Sequence, residues 1–330
     1  MNTYHSFQDR LYNFQEKDFE GLCMDIYRYQ ASNNPVFRDY HEYLGKDPNE
    51  AAEVEDLVFL PIELFKYHSI QTGKWEPEAV FRSSGTTGMI RSEHKVRDLD
   101  FYKNISRRNF ELFYGPVADY HILALLPSYL ERNDSSLVAM TDHLIRESQS
   151  EFSGFYLREM DELLADIEKI RKVGDRKVLL LGVSFALLDL SEYAEIDLSD
   201  ALIMETGGMK GRREELTRSQ LHEVLSRAFN NPLIHSEYGM TELLSQAYSV
   251  GNGKFSLPPW MKIRLREVND PFSNAPEGGS GGMNVIDLAN IHSCAFIETK
   301  DLGKLDSEDQ LEILGRYDNS DIRGCNLMVN

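Results

Sequence analysis

Apolar positions near the start of the chain recur at helical spacing: Phe19, Leu22, Cys23, Ile26 and Tyr27 share one face of a helix. Asn33-Asn34-Pro35 ends that pattern, and a second short helix is expected from Pro35 towards Gly45. From about position 120 the texture changes. Short β-rich runs, YHILALL and SSLVAMTDHLI and later KVLLLGV, ALIMET and PLIHSEY, alternate with the amphipathic stretches LREMDELLADIEKI and RREELTRSQLHEVLSRAF. That alternation predicts an α/β fold, a mostly parallel sheet covered by helices. After Pro258-Pro259-Trp260 the runs MKIRLREV, MNVIDL, CAFIET and QLEIL follow one another through Gly- and Asp-containing turns without a helical pattern between them. This end predicts an antiparallel or mixed β subdomain. The expected division is a helical region 1–80, an α/β core 81–257, a β subdomain 258–315 and a C-terminal tail 316–330.

Composition narrows the function classes. With 330 residues, 42% of them hydrophobic, the chain has enough apolar material for one or two globular domains. A net charge of -19 argues against neutralising nucleic-acid phosphates and against docking on anionic membranes. Cys23, Cys294 and Cys325 are an odd number without CxxC spacing, which points away from a disulfide framework or zinc site and towards a reducing cytoplasm. The start lacks a basic segment followed by an apolar one, and the apolar stretch Val178 to Leu188 is too short to span a bilayer, so neither export nor membrane insertion is expected.

Four segments carry candidate chemistry. In FRSSGTTGMIRSEH, the residues Ser83, Ser84, Gly85, Thr86, Thr87 and Gly88 are small and four are hydroxylated. Glycines admit close backbone approach to a phosphate, and N–H groups with hydroxyls supply neutral donors. The spacing is not that of a Walker loop, and a plain Ser/Gly/Thr turn is the alternative. In ALIMETGGMKG a buried-strand pattern runs into Glu205-Thr206-Gly207-Gly208, where paired glycines would let a flat ring lie against backbone at a strand's carboxyl end. In IHSEYGMTELLSQ, Tyr238, Gly239, Met240, Thr241 and Glu242 again follow a strand, placing an aromatic face, a hydroxyl and a carboxylate together. The alternative there is a helix entry capped by Thr241. Near the C-terminus FIETKDLGKL holds Asp301, and GRYDNSDIRG holds Arg316, Asp318 and Arg323. A carboxylate accepts from both ribose hydroxyls and an arginine reaches ribose or phosphate.

Taken in order, SSGTTG, ETGG, YGMTE, TKDLG and GRYD resemble the core motifs of the adenylate-forming superfamily, over about residues 55 to 330. The details look closest to the acyl-protein synthetase (LuxE-type) family and are also similar to phenylacetate-CoA ligase. The resemblance implies the large N-terminal domain of adenylate-forming enzymes, mixed sheets covered by helices, with ATP and Mg²⁺ as cofactors. It implies that Ser84 to Gly88 hold the ATP phosphates, that Gly207, Gly208 and Tyr238 sandwich adenine, that Thr241 and Glu242 serve phosphate and magnesium, and that Asp301 binds ribose. A carboxylic acid, such as a fatty acid by analogy with acyl-protein synthetases, is then the substrate, with a thiol of a protein partner or carrier as acceptor.

Two departures from the pattern stand out. Full-length relatives follow GRxD with a mobile C-terminal domain bearing a catalytic lysine, whereas this sequence ends 14 residues after Arg316. Met89-Ile90-Arg91 replaces the usual proline-lysine pair after the phosphate loop, so Arg91 or Lys95 is a candidate for that charge beside the plainer reading as solvated residues. Acyl-protein synthetases resemble this chain in ending soon after that segment, with an acyl-accepting cysteine near the terminus, and Cys325 sits in that position, Arg323 being two residues away. Other features take bland readings. Gly278 to Gly282 reads as a hairpin or loop, His121 and His235 as core or pocket-lining residues, and Asn133-Asp134-Ser135-Ser136 after Tyr129 as a helix start or an acyl-pocket wall.

Overall fold

Asn34 sets the first boundary in the chain. The computed structural model describes residues 3–84, 90–126, 134–156, 159–207, 216–308 and 310–317. Within it α1 (Thr3–Tyr12) precedes α2 (Phe19–Asn33), which buries Phe19, Leu22, Cys23, Ile26 and Tyr27. The Asn34 side chain then accepts from the backbone N–H groups of Val36 and Phe37 at 3.1 and 3.2 Å, starting α3 (Pro35–Leu44) with proline in its first turn, where no N–H is needed. Gly45, at φ 64°, closes that helix in the left-handed conformation that glycine adopts without strain. β1 (Leu60–Pro61) and the short α4 (Leu64–Tyr67) complete this stretch.

The next elements alternate as the sequence pattern requires. A hairpin of β2 (Ala79–Arg82) and β3 (Glu93–Val96) leads into α5 (Leu99–Tyr114) and β4 (Tyr120–Leu125). After α6 (Ser136–Ser148) come β5 (Gly154–Tyr156), α7 (Met160–Val173), β6 (Lys177–Val183) and α8 (Ser184–Tyr193). Then follow β7 (Ala201–Thr206), α9 (Arg218–Ala228), β8 (Ile234–Tyr238), β9 (Ala247–Ser249) and β10 (Lys254–Ser256). β8, β7, β6, β4 and β5 lie side by side and parallel, and β9 and β10 continue the sheet antiparallel. Leu123, Leu125, Leu180, Ile203 and Ile234 are buried on these strands against Leu163, Ile167 and Ile170 of α7 and Leu187 of α8. Continuous apolar strands are what a parallel sheet covered on its faces demands.

Four further strands, β11 (Met261–Arg266), β12 (Ser280–Asp287), β13 (Phe296–Leu305) and β14 (Leu311–Arg316), form an antiparallel meander, with β1 parallel to β13. Chain contacts divide the protein into two compact units, Met1–Gly73 with Pro259–Asn330, and Lys74–Pro258. The N-terminal helices and the C-terminal strands therefore share one unit. Gln30 of α2 shows why: its amide donates to the carbonyls of Asn290 and Ile291 at 2.8 and 3.0 Å and accepts from Ala295 N–H at 2.9 Å.

Two local expectations are corrected. SSLVAMTDHLI, grouped with the β-rich runs, is α6: Ser135 caps it by accepting from Val138 N–H, and Met140, Thr141, Leu144 and Ser148 are buried at helical rather than alternating spacing. Gly281 and Gly282, read as hairpin or loop, lie inside β12, and glycine is needed there because a Cβ would meet the Arg266 backbone carbonyl and Ala275 at Gly281 and the Arg266 guanidinium at Gly282.

Candidate functional site

The carboxyl ends of β6, β7 and β8 bring two of the four motifs together. Glu205 pairs in register with Ser236 and Thr206 with Glu237, so ETGG and YGMTE leave adjacent strands side by side. Gly207, at φ 69°, turns the chain there, and its carbonyl accepts from the Ser184 hydroxyl at 2.9 Å at the head of α8. Gly208 lies outside the described residues. Tyr238 ends β8 half-buried, its ring centroid 6.2 Å from that of Phe255 and its hydroxyl 3.7 Å from the Met240 sulfur. Gly239 is exposed, Thr241 half-buried, and no helix starts at Thr241: the chain passes through a turn into β9. Ligands of open α/β sheets bind at this edge.

The hydroxyl-rich segment is joined to the same place through β3. Ser83 and Ser84 follow β2, while Gly85, Thr86, Thr87 and Gly88 lie outside the described residues. The Ser83 N–H donates to the Ser92 carbonyl at 3.1 Å, and the Ser92 N–H donates to the Ser83 hydroxyl at 3.0 Å. The Ser92 hydroxyl in turn donates to the Glu242 carboxylate, and the next inward-facing residue, His94, has Nδ1 2.8 Å from the Thr241 carbonyl. Alternation along SEHK therefore ties the base of SSGTTG to YGMTE. Glu242 is 5% exposed, a more enclosed position than its place after a strand end suggests. Arg91 is also engaged: it donates to the Ser83 carbonyl at 2.7 Å and pairs with Asp134 at 2.8 Å.

Beneath the strand ends lie two buried carboxyls in contrasting surroundings. Burial opposes ionisation of Glu205, yet the hydrogen bond from His222 and the charge of Arg218, 3.2 Å away, hold it below the ordinary range. Burial pushes Glu237 up to about 7; the Thr206 hydroxyl bonded to it favours ionisation, but the Glu205 charge works against it. A Cβ on Gly239 would stand 2.5 Å from Glu237 Oε1, so this carboxyl lies directly under the YG turn. Glu237, Ser92, His94 and Ser184 are not singled out by the sequence; only the alternation along Ser92 to Val96 offers a signal, for Ser92 and His94. His121 and His235 are buried, as read. His121 contacts Ser150 and Asp175 at 2.6 and 2.9 Å at the opposite end of β4 from the site, and burial lowers His235 to about 4.

In the other unit Asp301 and Arg316 face each other across β13 and β14 as a register pair, with 3.8 Å between Oδ1 and Nε. Asp301 is 13% and Arg316 61% exposed by side chain, and the Asp301 N–H donates to the Thr299 hydroxyl at 3.1 Å. The DLG sequence, an ordinary turn by composition, is strand with a register shift between Leu302 and Gly303. Among the described residues no group of three or more His, Cys, Asp or Glu is placed to hold a metal ion. A single carboxylate such as Glu242 nevertheless fits Mg²⁺, which keeps most of its waters and takes phosphate oxygens. Cys325, Asp318 and Arg323 lie outside the described residues. Cys23 and Cys294 are buried, and that burial pushes both thiols up to about 12. No helix of the described residues is long and apolar enough to cross a membrane.

No protein-family model matches the sequence, and no curated protein matches it. Solved structures do. An open conformation of 2-hydroxyisobutyryl-CoA ligase in complex with 2-HIB-AMP and CoA superposes with a TM-score of 0.66 at 12% identity, covering 91% of this chain and 69% of that one. Apo MatB from Rhodopseudomonas palustris gives 0.52 at 18% identity, covering 72% and 47%. The o-succinylbenzoate CoA synthetase MenE from Bacillus subtilis, bound with its product analogue, gives 0.51 at 18%, covering 72% and 48%. The chain thus spans from 47% to 69% of the length of these structures. The fold is that of the large N-terminal domain of adenylate-forming enzymes, a mixed sheet covered by helices.

Proposed function

We propose that this protein activates a carboxylic acid with ATP, forming an acyl-adenylate and pyrophosphate, and passes the acyl group to a thiol. The observation that supports this most is the Ser83–Ser92–Glu242 chain, which ties a hydroxyl-rich loop to a carboxylate at the strand edge where ETGG and YGMTE lie side by side. In this reading Ser84 to Gly88 and Thr241 donate to phosphate oxygens, Gly207, Gly208 and Tyr238 enclose adenine, and Glu205, Thr206, Gly239 and Met240 shape the two turns. By the resemblance, Asp301 and Arg316 are assigned to ribose and phosphate. Glu242 would hold Mg²⁺, which would supply positive charge to offset that of the phosphates. Bringing two anions together is the main barrier, so positioning and charge stabilisation carry the rate.

Cys23 and Cys294, enclosed and protonated, are poor acceptors. By the resemblance to acyl-protein synthetases the acceptor assigned is Cys325, with the thiol of a partner protein or carrier as the alternative. The second reading is an acyl-CoA ligase, favoured by the CoA ligases among the structural neighbours, which would use CoA. Release of pyrophosphate across a panel of acids tests the first step; no acid-dependent release from any acid would refute it. Labelled acid with ATP separates the acceptors. Wild type should retain label that neutral hydroxylamine removes, and Cys325→Ser should not, although it still releases pyrophosphate. Equal labelling of both proteins would refute the Cys325 assignment, and labelling of CoA instead would establish the ligase.

A further inference from the structure

Arg266 ends β11 with its side chain only 2% exposed. A buried arginine is costly unless its donors are met; here Nε has no hydrogen-bond partner among the described residues, while Nη1 and Nη2 reach two separate places on the same unit. Nη2 donates to the Thr299 carbonyl at 2.8 Å and to the Tyr317 hydroxyl at 2.7 Å, and lies 3.3 Å from the Glu298 carboxylate. Nη1 donates to the Glu267 carbonyl at 3.2 Å. The neighbouring strand is cut away for this group. A Cβ on Gly282, the register partner of Arg266, would stand 2.1 Å from Nη1 and 2.6 Å from Cζ, so only glycine leaves room for the guanidinium. Part of the glycine run 278–282 thus acquires a purpose that no phosphate or dinucleotide explains.

The two groups that Arg266 grips flank the ribose pair. Thr299, besides giving its carbonyl to Arg266, uses its hydroxyl to accept from the Asp301 N–H at 3.1 Å and to donate to the Met283 carbonyl at 2.8 Å. Tyr317 is the residue after Arg316, and its N–H donates to the Lys300 carbonyl at 3.0 Å, next to Asp301. One buried cation therefore fixes the residue two before Asp301 and the residue after Arg316.

We propose that Arg266 and Tyr317 are positioning residues, joined by the guanidinium–hydroxyl bond across Gly282, that hold Asp301 and Arg316 at the spacing a ribose diol requires. This rests on the assignment of Asp301 and Arg316 to ribose. A bidentate carboxylate–diol contact tolerates little displacement, so loosening its frame reduces the advantage of ATP over analogues lacking one hydroxyl, while contacts to base and phosphates are unaffected.

The test is calorimetric titration of wild type, Tyr317→Phe and Arg266→Lys with Mg-ATP, Mg-2′-deoxy-ATP and Mg-3′-deoxy-ATP, with thermal melts of each protein. Tyr317→Phe removes one oxygen from a half-buried ring and keeps the fold testable if Arg266→Lys does not fold. Wild type should prefer ATP over both analogues, and Tyr317→Phe should weaken ATP binding roughly tenfold, the size of one charge-assisted hydrogen bond, while leaving analogue binding nearly unchanged. A preference that survives intact in Tyr317→Phe would overturn the inference alone. Equal weakening for all three nucleotides would also overturn it, since that is what general loosening of the unit produces. Wild type that binds ATP without preferring it over the analogues would overturn the ribose assignment and this inference with it, and wild type that binds no nucleotide would overturn the proposed function as well.

Discussion

Glu237 gives the sharpest test of the site's electrostatics. It is buried under the YG turn beside Glu205, with the buried Tyr102 and Tyr248 and the half-buried Tyr114 close enough to feel its charge. A carboxyl raised from 4.5 to about 7 is one whose proton the folded state retains. Its contribution is fully present below its unfolded value and is lost as pH rises through about 7, so folding loses about 3 kcal/mol between those limits and nothing further above them. Glu237→Gln removes the titration, keeps the shape, and leaves an amide oxygen able to accept from Thr206. The variant should therefore match wild type near pH 4.5 and be more stable near pH 8, by about 3 kcal/mol, or roughly 6–12 °C in Tm for an unfolding unit of this size. Thermal melts of both proteins from pH 4.5 to 8.5 measure the difference. A difference that is flat across this range, or one that grows towards acid, would refute the reasoning.

Three more expectations follow from the same geometry. Glu242→Gln should abolish Mg²⁺-dependent pyrophosphate release while the melt changes little, because an amide still accepts from Ser92 but holds Mg²⁺ poorly; lost stability with retained activity would remove the metal role. Asp301→Ala should weaken ATP binding by about 1–3 kcal/mol, measured by titration, with unchanged affinity removing Asp301 from the site. Gly282→Ala should lower Tm and weaken ATP binding together, since its Cβ and the Arg266 guanidinium compete for one space; a Tm and an ATP affinity both equal to wild type would show that the strand relaxes freely.

Short-range features were legible in the sequence and long-range ones were not. KVLLLGV and ALIMET delimit β6 and β7 to the residue, and Asn34-Pro35 and Gly45 bound α3, because caps, proline and apolar runs act within a few positions. The apolar richness of SSLVAMTDHLI resembles a strand, and its helical character shows in the Ser135 cap and in the spacing of the residues it buries. The hydrogen-bonded partners within each unit lie far apart in sequence: Ser92 and Glu242 are separated by 150 residues and His94 and Thr241 by 147 in one, Arg266 and Tyr317 by 51 in the other. No window holds such a pair. Motif order picks out Glu242 and Asp301 as candidates, but the burial of Glu242 and the upward shift of Glu237 beside Tyr238 follow from the sheet register.

The hairpin of β2 and β3 also sets a leash. Ser83 and Ser92 are pinned to each other by two backbone-anchored bonds, and Ser92 is pinned to Glu242, so the segment 84–91 begins and ends at one fixed point. Eight residues anchored at both ends reach no farther than about 15 Å from their base, since a chain must go out and come back. The anion proposed for that segment is therefore confined to a volume with Glu242 at its foot, and each pair of residues removed from the segment would draw the boundary in by about 3 Å. In the proposed function, the length of this stretch sets how far from Glu242 its hydroxyls could meet a phosphate.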